Sequence, residues 1–463
     1  MKGKRGSVLA TVVIVAAALF ALVGVTYTYF TMNARTMAFT MNRTRALASA
    51  EAGVALAVHH LQSLDELPEG DPFLLSMEGD SMGWTMLPGG GRAMVVIDPY
   101  NGTLMAGLGN GSVQIRTEGL AGNVSREVVA GASPAYPSSF ALLTDGGIGN
   151  GFFSDGREIN GAVHSNGVIE FSSYSPDSTG DPKGEMFSTT SDGGFRFSDS
   201  GFSTVPHPEG SSIWVRPYAN HRQGSPYWRP CSPPVDFSRM SSHFRNLASS
   251  AEGVRITAAR LLLDGNRVRF KETEGAEERV LDLSGVDLLL VENGFSPVIV
   301  KSVRRLEEPL TILARSDLII GGGIDGGVAG SGGPLGLVSL GSVVIADDPD
   351  LSGTGDWPGD WQIETDGAML IRASVVAAGG GLRAATPYKP QEQTRVTVSG
   401  SLTQVQMGRL SSANSGYELG ISWDQGLGAL HPPHFPMLGR WNVFSWLVDP
   451  PDQGDIDITD DLV

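Results

Sequence analysis

Between Arg5 and Arg35 the chain carries no charged side chain, and Ser7 to Phe30 is a run of mostly Val, Ala, Leu and Ile. No other feature restricts the fold as much. As a helix rising about 1.5 Å per residue, these roughly 24 residues reach about 36 Å, enough to cross a hydrocarbon core of about 30 Å. Lys2, Lys4 and Arg5 form a basic tip ahead of the run, which places the N-terminus in the cytoplasm and everything after Arg35 outside. A secretory signal is the competing reading, but its apolar core is about 7–15 residues and ends at an A-x-A-like site. Beyond the apolar run the first such triplets fall within Ala46 to Ala50, past Arg35, Arg43 and Arg45. A single-pass anchor that stays with the chain is therefore expected.

Helical periodicity continues past the span. Leu47, Ala50, Val54, Val58 and Leu61 recur at three- and four-residue spacings and draw one apolar stripe. Its ordinary reading is a helix packed on its own domain. The basic leader, Gly6 followed by Ser-Val-Leu, and the long apolar helix running into RALASAEAGVALAVHHL, Arg45 to Leu61, together resemble the N-terminus of type IV pilin-like proteins, and of PilX-type minor pilins in particular. That resemblance implies cleavage by a prepilin peptidase after Gly6, with Ser7 as the first mature residue. Gly3 is the poorer site, because cutting there leaves Lys4 and Arg5 at the membrane entrance. It also implies an inner-membrane location, a periplasmic or extracellular main domain, and other pilin-like subunits as partners through the helix, with Thr11, Leu47, Ala50, Val54, Val58 and Leu61 as its assembly residues.

Most major pilins carry Glu as the fifth mature residue, where this chain has Thr11. In a fibre that carboxylate neutralises a neighbour's buried ammonium, offsetting several kcal/mol of desolvation. Its lack points to a minor or pseudopilin-type subunit of a type IV pilus or type II secretion-like system.

The helix pattern breaks in DELPEGDP, where Pro68 and Pro72 cannot donate. The expected organisation is a leader over 1–6, the transmembrane and extended helix over 7–64, and a small pilin-like β region over 65–135. A larger domain over 136–446 and an acidic tail over 447–463 follow. The small region has strand-like runs at Ala93–Ile97, Ser112–Thr117 and Val124–Ala130, read as an antiparallel meander. From Phe140, and strongly from Leu281 to Met407, short apolar runs alternate with Gly and Asp, and Leu318, Val343, Leu370 and Val398 mark centres about 25–28 residues apart. This suits a β-solenoid (right-handed β-helix) with those centres inside; a β-sandwich is the alternative. The fold class is α+β. The stretch near 172–234 reads as an insertion or long loops, and Asp236 as the cap of a short helix whose Phe237, Met240, Phe244 and Leu247 seal an end or side of the solenoid. GAVHSNG, GGPLGLVSLG and PPHFP resemble an uncharacterised bacterial β-rich domain family found on pilin-like anchors, over about Phe140 to Trp446. That likeness carries no active site across.

Chemistry finds little support. With 33 Lys and Arg against 50 Asp and Glu, the net charge of −17 repels phosphate backbones, so no nucleic-acid partner is expected. Gly321 to Gly323 and Gly379 to Gly381 lack the following Lys-Ser or Lys-Thr of a phosphate loop and read as turns. Ser81 in GDSMG lacks the strand and helix of a nucleophile elbow. No H-E-x-x-H occurs, and His431 with His434 has no third ligand nearby. His59 and His60 suit a helix C-terminus. Asp145, Asp155 and Glu158 read as turn residues, Asp347 to Asp350 and the tail carboxylates as acidic surface without EF-hand order, and Cys231 as a thiol without a base. The expectation is a non-enzymatic subunit with no catalytic residue, metal or cofactor. The alternative is an anchored β-helix adhesin or enzyme acting on polysaccharide.

Overall fold

The computed structural model describes residues 5–64, 71–75, 83–99, 112–149, 159–171, short strands between 186 and 229, and then 234–346, 359–362, 368–385 and 394–449, with short gaps inside these stretches. The chain divides into two compact units. The first comprises Met1–Ala106, Gly111–Ser133 and Trp441–Val463; the second is Pro134–Arg440 with Gly107–Asn110.

In the first unit, helix α1 spans Arg5–Ser63 and lies on a six-stranded sheet. The strand order is Phe73–Leu74, Arg92–Asp98, Val113–Ala121, Val124–Pro134, Trp441–Val448, with Trp84–Met86 also on Arg92–Asp98. The meander expected at its centre is present and antiparallel. Gly122, at φ 61°, supplies the left-handed residue of the tight turn joining Val113–Ala121 to Val124–Pro134. Small side chains bring helix and sheet together. Ala46, Ala50, Gly53, Val54, Ala57 and Leu61 are buried, and Leu47 and Val58 half-buried. A Cβ on Gly119 would collide with the Ala46 carbonyl oxygen and the Ala50 nitrogen, so only glycine fits there. Thr117 Oγ1 donates to the Ala50 carbonyl at 2.9 Å. One boundary differs from the sequence reading, which ended the larger domain at 446. Trp441–Val448 belongs to the first unit's sheet, because its pairing partner was laid down before the larger unit began.

Among the described residues the second unit holds four sheets, of ten, seven, six and three strands, made largely of parallel pairs. The longest has ten strands, in the order Tyr227–Arg229, Met186–Thr189, Val163–Ser165, Leu142–Thr144, Ser401–Gln404, Ser374–Ala377, Leu335–Ser339, Leu310–Ala314, Leu288–Glu292, Val254–Thr257. From Leu288–Glu292 to Ser401–Gln404, consecutive strands of the chain go to different sheets. Leu310–Ala314, Leu318–Ile320 and Ile324–Asp325 are followed by Leu335–Ser339, Val343–Ile345 and Met369–Arg372, each pairing in parallel with its predecessor in the same sheet. Their inward residues, among them Leu318, Ile320, Ile324, Leu337, Val343, Ile371 and Val398, share one core. These parallel ladders differ from the antiparallel pairing of a sandwich.

Two expectations fail here. Leu370 was expected inside, yet it is 39% exposed between buried Met369 and Ile371. Alternation in a strand puts neighbours on opposite faces, and the core set is 369 and 371. The 172–234 stretch is not only loop: Met186–Thr189 and Tyr227–Arg229 extend the ten-stranded sheet, and Gly194–Phe197 pairs with Val168–Phe171.

Helix α2, Phe237–Ser249, starts where the Asp236 carboxylate accepts the Arg239 N–H at 2.8 Å. Its Phe237, Met240, Phe244 and Leu247 pack with Leu288, Leu290, Leu313, Val338 and Val376 on the outward side of the ten-stranded sheet, so it covers a side. Arg255 and Arg315 both donate to the Ala248 carbonyl at the helix end, and Glu292 pairs with both.

Candidate functional site

Two places carry chemistry beyond packing: the outer half of α1 and a buried histidine. Gly6 and Ser7 lie in the first turn of α1, and Thr11 is exposed a turn further on. From there the helix presents Val12, Ile14, Phe20, Val23, Tyr27 and Phe30 to the surroundings, and beyond Arg35 also Met37, Phe39 and Met41. By length and composition it is one helix able to cross a membrane. The hydroxyls of Thr26, Thr28, Thr31, Thr36, Thr40 and Thr44 each donate to the carbonyl four residues back, at 2.7–3.1 Å. This satisfies the polar groups within the helix itself and lowers their cost in hydrocarbon. The stripe is used differently. Ala50, Val54 and Leu61, flanked by Leu47 and Val58, cluster with Ala93, Val95, Ile97 and Ile115 of the unit's own sheet.

His164 sits on Val163–Ser165, fully buried. Its Nε2 is 3.1 Å from Asn166 Oδ1 and its Nδ1 is 2.8 Å from Ser188 Oγ. The Asn166 amide is oriented by three other bonds: Val235 N–H donates to Oδ1 at 2.9 Å, while Nδ2 donates to Val235 O at 2.8 Å and to Asp145 Oδ1 at 2.7 Å. Oδ1 is thus an acceptor, so His164 donates from Nε2 and accepts the Ser188 hydroxyl at Nδ1. A serine, an imidazole and an orienting amide in line have the outline of a nucleophile and its base. Burial, with the Arg440 charge adding to it and the Asn166 bond partly offsetting it, pulls the His164 pKa down to about 3. An imidazole that weak is a poor general base at neutral pH, and Ser188 is itself buried. The arrangement joins Met186–Thr189 to Val163–Ser165. The only local signal in GAVHSNG is a histidine in a short strand bounded by glycines, and Ser188 is too distant in the chain to pair with it by inspection.

The remaining candidates are scattered. His431 stacks on Tyr136 with ring centroids 3.7 Å apart, and burial raises the Tyr136 pKa to about 12. His434 Nε2 instead faces Asp287 Oδ2 at 3.2 Å. Gly379 and Gly381 lie where a Cβ would meet the backbone of a neighbouring segment, in keeping with their reading as turns. Ser81, Asp155, Glu158, Cys231, Asp347 to Asp350 and the tail carboxylates lie outside the described residues. Among the described residues, no group of three or more His, Cys, Asp or Glu is placed to hold a metal ion.

No protein-family model and no curated protein matches the chain. Among solved structures it is similar to the crystal structure of the competence-associated pilin ComZ from Thermus thermophilus. Identity is 11%, the TM-score is 0.34, and 88% of this chain and 97% of that chain are covered. At that score the likeness carries no argument about fold or activity.

Proposed function

We propose that this protein is a pilin-like minor subunit, a non-enzymatic structural or assembly component of a type IV pilus or type II secretion-like system. In this reading α1 holds it in the inner membrane, the three ladders of the larger unit are the faces of an extracytoplasmic β-solenoid, and prepilin peptidase frees Ser7. The observation that carries the reading is the division of α1. Its inner half, from Ala46 to Leu61, is taken up by the chain's own sheet, while Thr11 to Met41 presents an apolar surface too long for the bilayer alone. Helix-mediated assembly therefore falls on that outer half and leaves the Leu47 to Leu61 stripe out of it. The weak, buried base at His164 favours a structural role. One feature favours the polysaccharide-binding alternative: in the sheet that pairs Met369–Arg372 with Thr394–Ser399 and the latter with Ser415–Ser422, Leu370, Arg372, Arg395, Thr397 and Glu418 face outward in rows across paired strands.

Photocrosslinking from position 39 in intact membranes tests the proposal. Replacing Phe39 by a photoreactive residue is expected to give adducts with other pilin-like subunits, while the same residue at Val54 gives none. Adducts with lipid only from position 39 would refute helix-mediated assembly.

A further inference from the structure

We propose that Trp441–Val448 is a closing latch: the helix-bearing unit completes its sheet only after the larger unit has folded and drawn the two ends of its own chain together. This goes beyond the proposed function and does not depend on it. The strand lies beside Val124–Pro134, yet about 300 residues separate the two along the chain. Its contacts are specific. Trp441, 8% exposed, donates from Nε1 at 3.0 Å to the Leu61 carbonyl in the last turn of α1, which also accepts the Leu64 N–H at 3.3 Å. At the far end the Asp449 carboxylate accepts the Glu127 N–H at 3.2 Å and pairs with Arg126 at 2.5 Å, while Asp449 N–H donates to Glu127 O at 2.8 Å. All of these partners precede residue 134, so they are made long before the latch that engages them.

Bringing those partners together across an unfolded larger unit means closing a loop of about 300 residues. The chance of closure falls as the 3/2 power of loop length, a factor on the order of 5,000. Folding of the larger unit removes most of that penalty. Within that unit Ala135 N–H donates to Arg440 O at 2.8 Å and Leu438 N–H to Ala135 O at 2.9 Å, clamping the entering and leaving segments side by side. The latch residue Trp441 follows the clamp directly. Docking is thus made contingent on a completed larger unit, and the state of that unit is transmitted to the sheet that supports α1.

Pulsed hydrogen exchange during refolding of the full chain in detergent tests the order. Amides in 310–314 and 335–339 are expected to gain protection first, and those in 124–133 and 441–448 afterwards and together. Protection of 124–133 with 441–448 at the same time as the larger unit's strands, or before them, would overturn the proposal. A second arm uses Leu318→Asp, a substitution inside the larger unit. Exchange at 124–133 is expected to rise on the order of a thousandfold although nothing in the first unit has changed; unaltered exchange there would equally overturn it.

Discussion

Leu318→Asp is expected to unfold the larger unit, whereas Leu370→Asp is expected to leave its stability within about 0.5 kcal/mol of the parent. Leu318 is fully buried and pairs with Val298 on one side and Val343 on the other, both also fully buried. A carboxylate there either remains charged without a partner or takes up a proton, and in both cases the leucine's packing is lost. The sum is about 4 kcal/mol or more, a large fraction of the 5–15 kcal/mol that holds a typical domain together. Leu370 stands on the outward face opposite Thr397, where a carboxylate stays hydrated. Urea unfolding in detergent, followed by hydrogen exchange at Leu310–Ala314, distinguishes the two. Equal melting of both variants would show that the inward and outward faces have been assigned wrongly.

Acid is expected to weaken the larger unit through one identifiable proton. The His164 pKa is about 3 in the folded chain against about 6.5 in the unfolded one, so the unfolded state binds a proton that the folded state refuses. Stability from this group is complete above pH 6.5 and falls by about 1.4 kcal/mol per pH unit on acidification, until the folded form also protonates near pH 3. The full loss is on the order of 5 kcal/mol. Carboxylates add their own acid dependence, so the measurement is a difference. His164→Gln is expected to be less stable at pH 7 but to lose about one proton's worth of slope between pH 6 and 4, read as urea midpoints with hydrogen exchange at 163–165. An unchanged slope would mean that His164 is solvated.

What could be read from the sequence was local. The end of α1 follows from a charge-free run, a helical stripe and a proline-rich break; the central strands of the small sheet follow from alternation and turn residues; α2 follows from Asp236 and the spacing of Phe237, Met240, Phe244 and Leu247. What was hidden depends on distant pairing. Nothing local to Trp441–Val448 says that it returns to a strand ending at Pro134, and nothing local to Leu142–Thr144 says that it sits between Val163–Ser165 and Ser401–Gln404. Leu370 was misplaced because Met369, Leu370 and Ile371 are all apolar, which erases the alternation that would show which one turns inward. The His164 network was missed for a similar reason: Asn166 is close in sequence, but the serine and the Val235 backbone that complete it arrive 24 and 71 residues later.

The identity of the mature N-terminus tests the pilin-like reading most directly. Intact-mass and N-terminal peptide measurement on protein extracted from native membranes should show a chain beginning at Ser7, six residues shorter and without Lys2, Lys4 and Arg5. A chain that keeps Met1, or one that begins beyond Phe30, would contradict it.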